Sequence, residues 1–171
     1  RSCRPTPTRM KAGATTRLTA NGTSGSHCIV RSNSGGGAAF IRWGQSSGFQ
    51  AHYTCTYTDF VRMNNPSNNR GIEVAQGSTS TGDISLTNCT FDSNCGDVYF
   101  ASSTPADASL TFSNCSFQNT VGTYNLRIIA SNPTSGTRTI SSCSFFGVLY
   151  GIDGSFTVED CVMDAGYDHA N

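Results

Sequence analysis

Eight cysteines in a chain of 171 residues are the strongest chemical signal here. Cys28, Cys55, Cys89, Cys115, Cys143 and Cys161 recur at intervals of 27, 34, 26, 28 and 18 residues, taken from their numbers. If the chain coils with that period, equivalent residues on neighbouring coils stack about 4.8 Å apart. That separation suits a disulfide. The expected bridges are Cys28 with Cys55, Cys89 with Cys115, and Cys143 with Cys161, leaving Cys3 and Cys95 to pin the N-terminal segment. The competing reading is a buried ladder of thiols serving as small apolar filler. Spacing alone leaves the connectivity open. No CxxC occurs and His27, His52 and His169 are scattered, so neither a zinc site nor any other cofactor is expected.

Other chemistry is thinner. Asn21, Asn88 and Asn114 each open an N-x-[ST] sequon, a candidate site for N-linked glycan. Asn88 and Asn114 also fit a hydrogen-bonded amide ladder. Acid and base catalysis on a polysaccharide would need clustered carboxylates beside a basic residue. Asp92 and Asp97, with Arg127 further on, come nearest but fall out of phase, which reads better as surface solvation. No GxSxG, P-loop or dinucleotide fingerprint is present, and no catalytic residue is assigned. Trp43, Tyr53, Tyr99 and Tyr124 lie outside the inward phase and are candidates to stack on sugar rings, or ordinary core and loop residues.

The elements that must position these residues are short strands. Ser109 to Asn119 reads SLTFSNCSFQN, and its pattern recurs around Cys89, Cys143 and Cys161. Period-two alternation on either side of a corner explains it: Leu110 and Phe112 point inward, Ser113 and Asn114 turn the chain, and Cys115 and Phe117 point inward again. The corner carries Asn or Asp at Asn88, Asn114 and Asp160, which tolerate the left-handed backbone. Further runs, GIEVA (71–75), DVYFAS (97–102), NLRIIA (125–130) and GVLYGI (147–152), alternate with turn-forming clusters. Three strands per period and no helix predict a parallel β-helix of about five to six coils. Arg138 breaks the pattern where Leu110 predicts an apolar residue, and counting back from the cysteines puts His52 and Gly25 at the Phe112 position.

NCTFDSN (88–94) and GGGAAF (35–40) resemble the FxxN and GGA-type signatures of polymorphic outer-membrane protein repeats, within the pectin-lyase-like group of right-handed parallel β-helices. The resemblance covers roughly residues 25–165. It implies an all-β, right-handed parallel β-helix in a secreted or cell-surface setting. It implies no particular activity, because function lives in sites grafted on a fold.

Composition agrees with an all-β domain. Charged residues make up 13%, and no apolar run reaches membrane-spanning length. Residues 1–24 read as an extended basic arm and 25–171 as the β-helix. Nine of eleven basic residues fall in 1–70 with a single acid, Asp59, and ten acids fall beyond. The basic residues are spaced singly, unlike a phosphate-binding stripe, so no nucleic acid is expected. If the coils run in chain order, one end is basic and the other acidic. Head-to-tail contacts that do not close produce a filament. The expectation is a non-enzymatic extracellular subunit that homopolymerises into a fibre or appendage. The alternatives are a carbohydrate-active or carbohydrate-binding β-helix and a segment of a larger adhesin.

Overall fold

Alternating small, β-branched and aromatic residues between Asn- and Gly-rich corners give strands with no helix among the described residues. The computed structural model describes residues 15–32, 41–43, 50–76, 83–102, 109–119, 121–130, 137–152, 157–164 and 167–170. Coil 1 is β1 (Thr15–Asn21), β2 (Cys28–Arg31) and β3 (Ile41–Trp43). Coil 2 is β4 (Gln50–Thr56), β5 (Thr58–Val61) and β6 (Arg70–Gln76). Coil 3 is β7 (Ile84–Thr87), β8 (Thr90–Phe91) and β9 (Asp97–Ser102). Coil 4 is β10 (Leu110–Ser113), β11 (Ser116–Phe117) and β12 (Tyr124–Ala130). Coil 5 is β13 (Arg138–Ser141), β14 (Ser144–Phe145) and β15 (Val148–Ile152). Coil 6 is β16 (Thr157–Glu159), β17 (Val162–Met163) and β18 (Tyr167–Ala170). Each strand from β1 to β15 pairs in parallel with the one three places on, giving three six-stranded sheets in a parallel β-helix.

The first strand begins at Thr15 and pairs along its whole length with β4. Part of the segment read as an arm is therefore the first strand of the solenoid. Residues 1–14, including Cys3, lie outside the described residues.

The core runs between the sheets as columns of like residues. Phe60, Phe91, Phe117 and Phe145 stack face to face at 4.8 Å, with ring planes within 5° of parallel. Each is almost wholly buried. Beside them runs the column Ala20, Cys55, Leu86, Phe112, Ile140 and Val158. Arg138 occupies Leu110's register position and is buried there. Loss of solvation at that site lowers its pKa.

The corner between first and second sheets is left-handed in coils 2 to 6, with φ of 44° at Tyr57, 53° at Asn88, 52° at Asn114, 53° at Ser142 and 53° at Asp160. Asn and Asp adopt this conformation at low cost, whereas Tyr57 and Ser142 do so at about 1 kcal/mol or more. The Asn114 amide donates to Asn88 Oδ1, so the expected amide ladder is present between coils 3 and 4. Coil 1 turns differently: Gly22 to His27 are inserted, closed by paired Thr23 and Ser26.

That difference corrects the register read from the cysteines. Cys55 pairs with Leu86 and so shares Phe112's column, and Tyr53 pairs with Ile84. His52 and Gly25 do not stand at the Phe112 position. The corner residue equivalent to Cys89 in coil 2 is Thr58, which pairs with Cys28.

Candidate functional site

The cysteine ladder is the first candidate. One column runs Cys28, Thr58, Cys89, Cys115, Cys143 and Cys161. No disulfide joins the described cysteines to one another. The expected bridge of Cys28 with Cys55 is excluded as a stacked pair, because Cys28 pairs with Thr58 whereas Cys55 pairs with Ala20 in the neighbouring sheet. Cys89 and Cys115, and Cys143 and Cys161, do sit on adjacent coils but remain thiols. Their sulfurs turn to backbone carbonyls instead: Cys89 Sγ to Cys55 O at 3.4 Å, Cys115 Sγ to Leu86 O at 3.3 Å, and Cys161 Sγ to Glu159 O at 3.3 Å. Cys95 stands apart, donating to Phe60 O and Asp92 Oδ1, both at 3.2 Å.

Burial pushes Cys55 up to about 12 and Cys95 likewise to about 12. Hydrogen bonds with Cys143 and Cys89 push Cys115 up, and burial adds to them. Cys55, Cys95 and Cys115 are thereby held protonated at neutral pH and are poor nucleophiles. The hydrogen bonds with Cys115 draw Cys89 and Cys143 down instead.

The outer face of the third sheet carries the second candidate. One outward column runs Glu73, Tyr99, Arg127 and Tyr150, with Arg70 and Tyr124 beside it. Arg70 lies 3.6 Å over the Tyr99 ring, and its Nη1 is 2.5 Å from Glu73 Oε1. The Arg127 guanidinium sits 5.4, 5.1 and 5.2 Å from the Tyr99, Tyr124 and Tyr150 rings. Asp97 joins them, with Tyr124 N donating to its Oδ1 at 3.1 Å. Burial raises the Asp97 carboxyl above its ordinary range despite the opposing pull of Arg127 and Arg70.

Sequence reasoning assigned Asp97 to the solvated surface, but the structure buries it beside Arg127. Arg70, Glu73 and Tyr150 were missed. The interval between Tyr99 and Arg127 is the repeat spacing and could have signalled a shared column. Asp92 lies elsewhere, accepting from Arg62 N at 2.9 Å and Asn94 N at 3.2 Å. Tyr53 is buried in the core, so it offers no ring to a sugar. Trp43 falls in β3. The guanidinium groups engage the tyrosine rings, as cation–π pairs that brace four coils against one another.

The ends of the solenoid are the third candidate. Each sheet ends on a coil 1 strand at one side and a coil 6 strand at the other. Among the described residues the exposed large apolar side chains are Ile29, Val121, Phe146 and Val162, and two of them sit on these end coils: Ile29 at 42% and Val162 at 64%. Exposed charge divides the same way. Arg17 and Arg31 belong to coil 1, and Glu159, Asp160 and Asp164 to coil 6 or its turns.

The sequons fall at corners. Asn21 is exposed at the end of β1, Asn114 is exposed and Asn88 is half-buried. Asn21 Oδ1 accepts from Thr56 Oγ1 at 3.3 Å. Among the described residues no group of three or more metal-ligating side chains converges, and no helix is long and apolar enough to cross a membrane. Comparison with protein-family models, curated proteins and solved structures finds no match.

Proposed function

We propose that this chain is a non-enzymatic structural subunit that stacks end to end, as copies of itself, into an extracellular fibre or surface appendage. The observation that supports this reading best is the contrast between its ends. Coil 1 exposes Ile29 with arginines, and coil 6 exposes Val162 with carboxylates. A solenoid coil buries its inward face only against a neighbour, and an uncovered end strand offers unpaired backbone groups to another chain. Opposite charges at the two ends orient such contacts head to tail.

Electron microscopy and sedimentation velocity of the purified chain test the reading. Filaments at low ionic strength that shorten as salt screens the end charges support it. Uniform monomers at every salt concentration overturn it, and the lateral Arg–Tyr face would then be screened against a polysaccharide panel.

A further inference from the structure

Resting on that reading, we propose that a second copy adds in register, its coil 1 taking the place of a seventh coil so that every column continues across the junction. The columns can be followed strand by strand. The outward column that opens at Ile29 passes through Asp59, Thr90, Ser116 and Ser144 and closes at Val162. Both of its termini are exposed apolar side chains, while every residue between them is polar. In-register addition places Ile29 of the incoming copy directly over Val162, covering both.

Two positions further along the same sheet, the column opens at Arg31, which pairs with Val61. It passes Asp92, Gln118 and Phe146, each bonding through its backbone N–H to the coil before it, and closes at Asp164. Arg31 and Asp164 are both exposed and of opposite charge. Within one molecule they are five coil steps apart, about 24 Å, well beyond the screening length at physiological salt. Across an in-register junction they become neighbours at about 4.8 Å. The inward columns continue as well: Val30, paired with Phe60, would cover Met163 at the foot of the phenylalanine stack, and Ala20 would cover Val158. Apolar meets apolar where Ile29 would cover Val162, and cation meets anion where Arg31 would cover Asp164. A register shifted by one residue would turn each inward residue to the outside.

A charge-swap experiment tests the register. R31D and D164R each place like charges at the junction, and each is expected to raise the protein concentration needed for assembly about tenfold at low salt. The double variant R31D/D164R restores the pair with its sign reversed and is expected to assemble within about threefold of the unsubstituted chain. Both positions are exposed, and circular dichroism checks that every variant keeps its β-helix. Fibre diffraction supplies a second readout: six coils per copy give an axial repeat of roughly 29 Å with an unbroken spacing of about 4.8 Å. If the unsubstituted chain is monomeric at every salt concentration, end-to-end stacking itself fails and the register with it. If it assembles but the double variant stays as weak as the singles, or the singles assemble normally, or the axial repeat is clearly longer than six coils, the in-register junction is overturned while stacking stands.

Discussion

Coil 4 and coil 6 are written in the same phrase and end in different environments. In coil 4, Phe112, Cys115 and Phe117 are covered by coils on both sides and almost wholly buried. In coil 6 the corresponding Val158, Cys161 and Met163 are only partly buried, and Val162 stands in water where coil 4 has Ser116. The backbone corner is the same in both, with φ of 52° at Asn114 and 53° at Asp160. Local conformation therefore belongs to the phrase, whereas burial belongs to the neighbour. A coil's stability is shared with the coils that sandwich it.

The comparison breaks most visibly under truncation of matched core residues. Phe117→Ala is expected to cost about 3–5 kcal/mol, because it opens a cavity in the phenylalanine stack. Met163→Ala, two strands further along the same column at its end, is expected to cost about 1 kcal/mol in the monomer and more once assembled. Urea unfolding in high salt measures both. Equal costs would mean that coil 6 is already covered.

Alkaline pH should load the middle of the stack more than its end. An unfolded thiol ionises near pH 8.5, whereas burial holds Cys55 and Cys95 protonated up to about 12. Between those limits the native state binds more protons than the unfolded one, so the stability present below pH 8.5 is lost as pH rises towards 12. Each such thiol contributes a slope of about 1.4 kcal/mol per pH unit. Thermal melts from pH 7 to 10.5 would show the decline, and Cys55→Ala should reduce it more than Cys161→Ala. A flat profile would contradict this account of the buried thiols.

Corner substitutions sharpen the local half of the comparison. At the left-handed Asn114, Ala should cost about 1 kcal/mol and Gly much less. The same pair of changes at Asp160 should differ by a similar amount, since the corner strain is local. The smallest effect is expected at Asp97. Its carboxyl is raised by burial, so ionisation costs stability as pH rises from the ordinary aspartate pKa through the raised one. Asp97→Asn keeps the acceptor for Tyr124 N and should stabilise the protein modestly at pH 7 but not at pH 3, as differential melting would show.

The strand runs at 97–102, 125–130 and 147–152 match β9, β12 and β15 closely because period-two alternation and turn clusters are local signals. The register of coil 2 was illegible for an equally physical reason. Tyr57 and Thr58 stand where later coils have an Asn, Ser or Asp followed by Cys, so a count anchored on cysteine slipped to Cys55. The Arg–Tyr face was hidden because its members come from four separate coils. Loops of unequal length intervene, and no local pattern says how far each loop advances the chain.

Alternation, corner residues and the recurring phrase were thus sufficient for an all-β solenoid of three strands per coil, because each depends only on neighbours along the chain. Which residues share a column was decided by backbone pairing between coils, at separations where loop length hides the phase. That pairing stacked Cys89, Cys115, Cys143 and Cys161 in one column, turned Cys89 and Cys115 sulfurs to carbonyls, and drew Asp97 out of solvent towards Arg127. It also aligned Ile29 with Val162 and Arg31 with Asp164 at opposite ends of single columns.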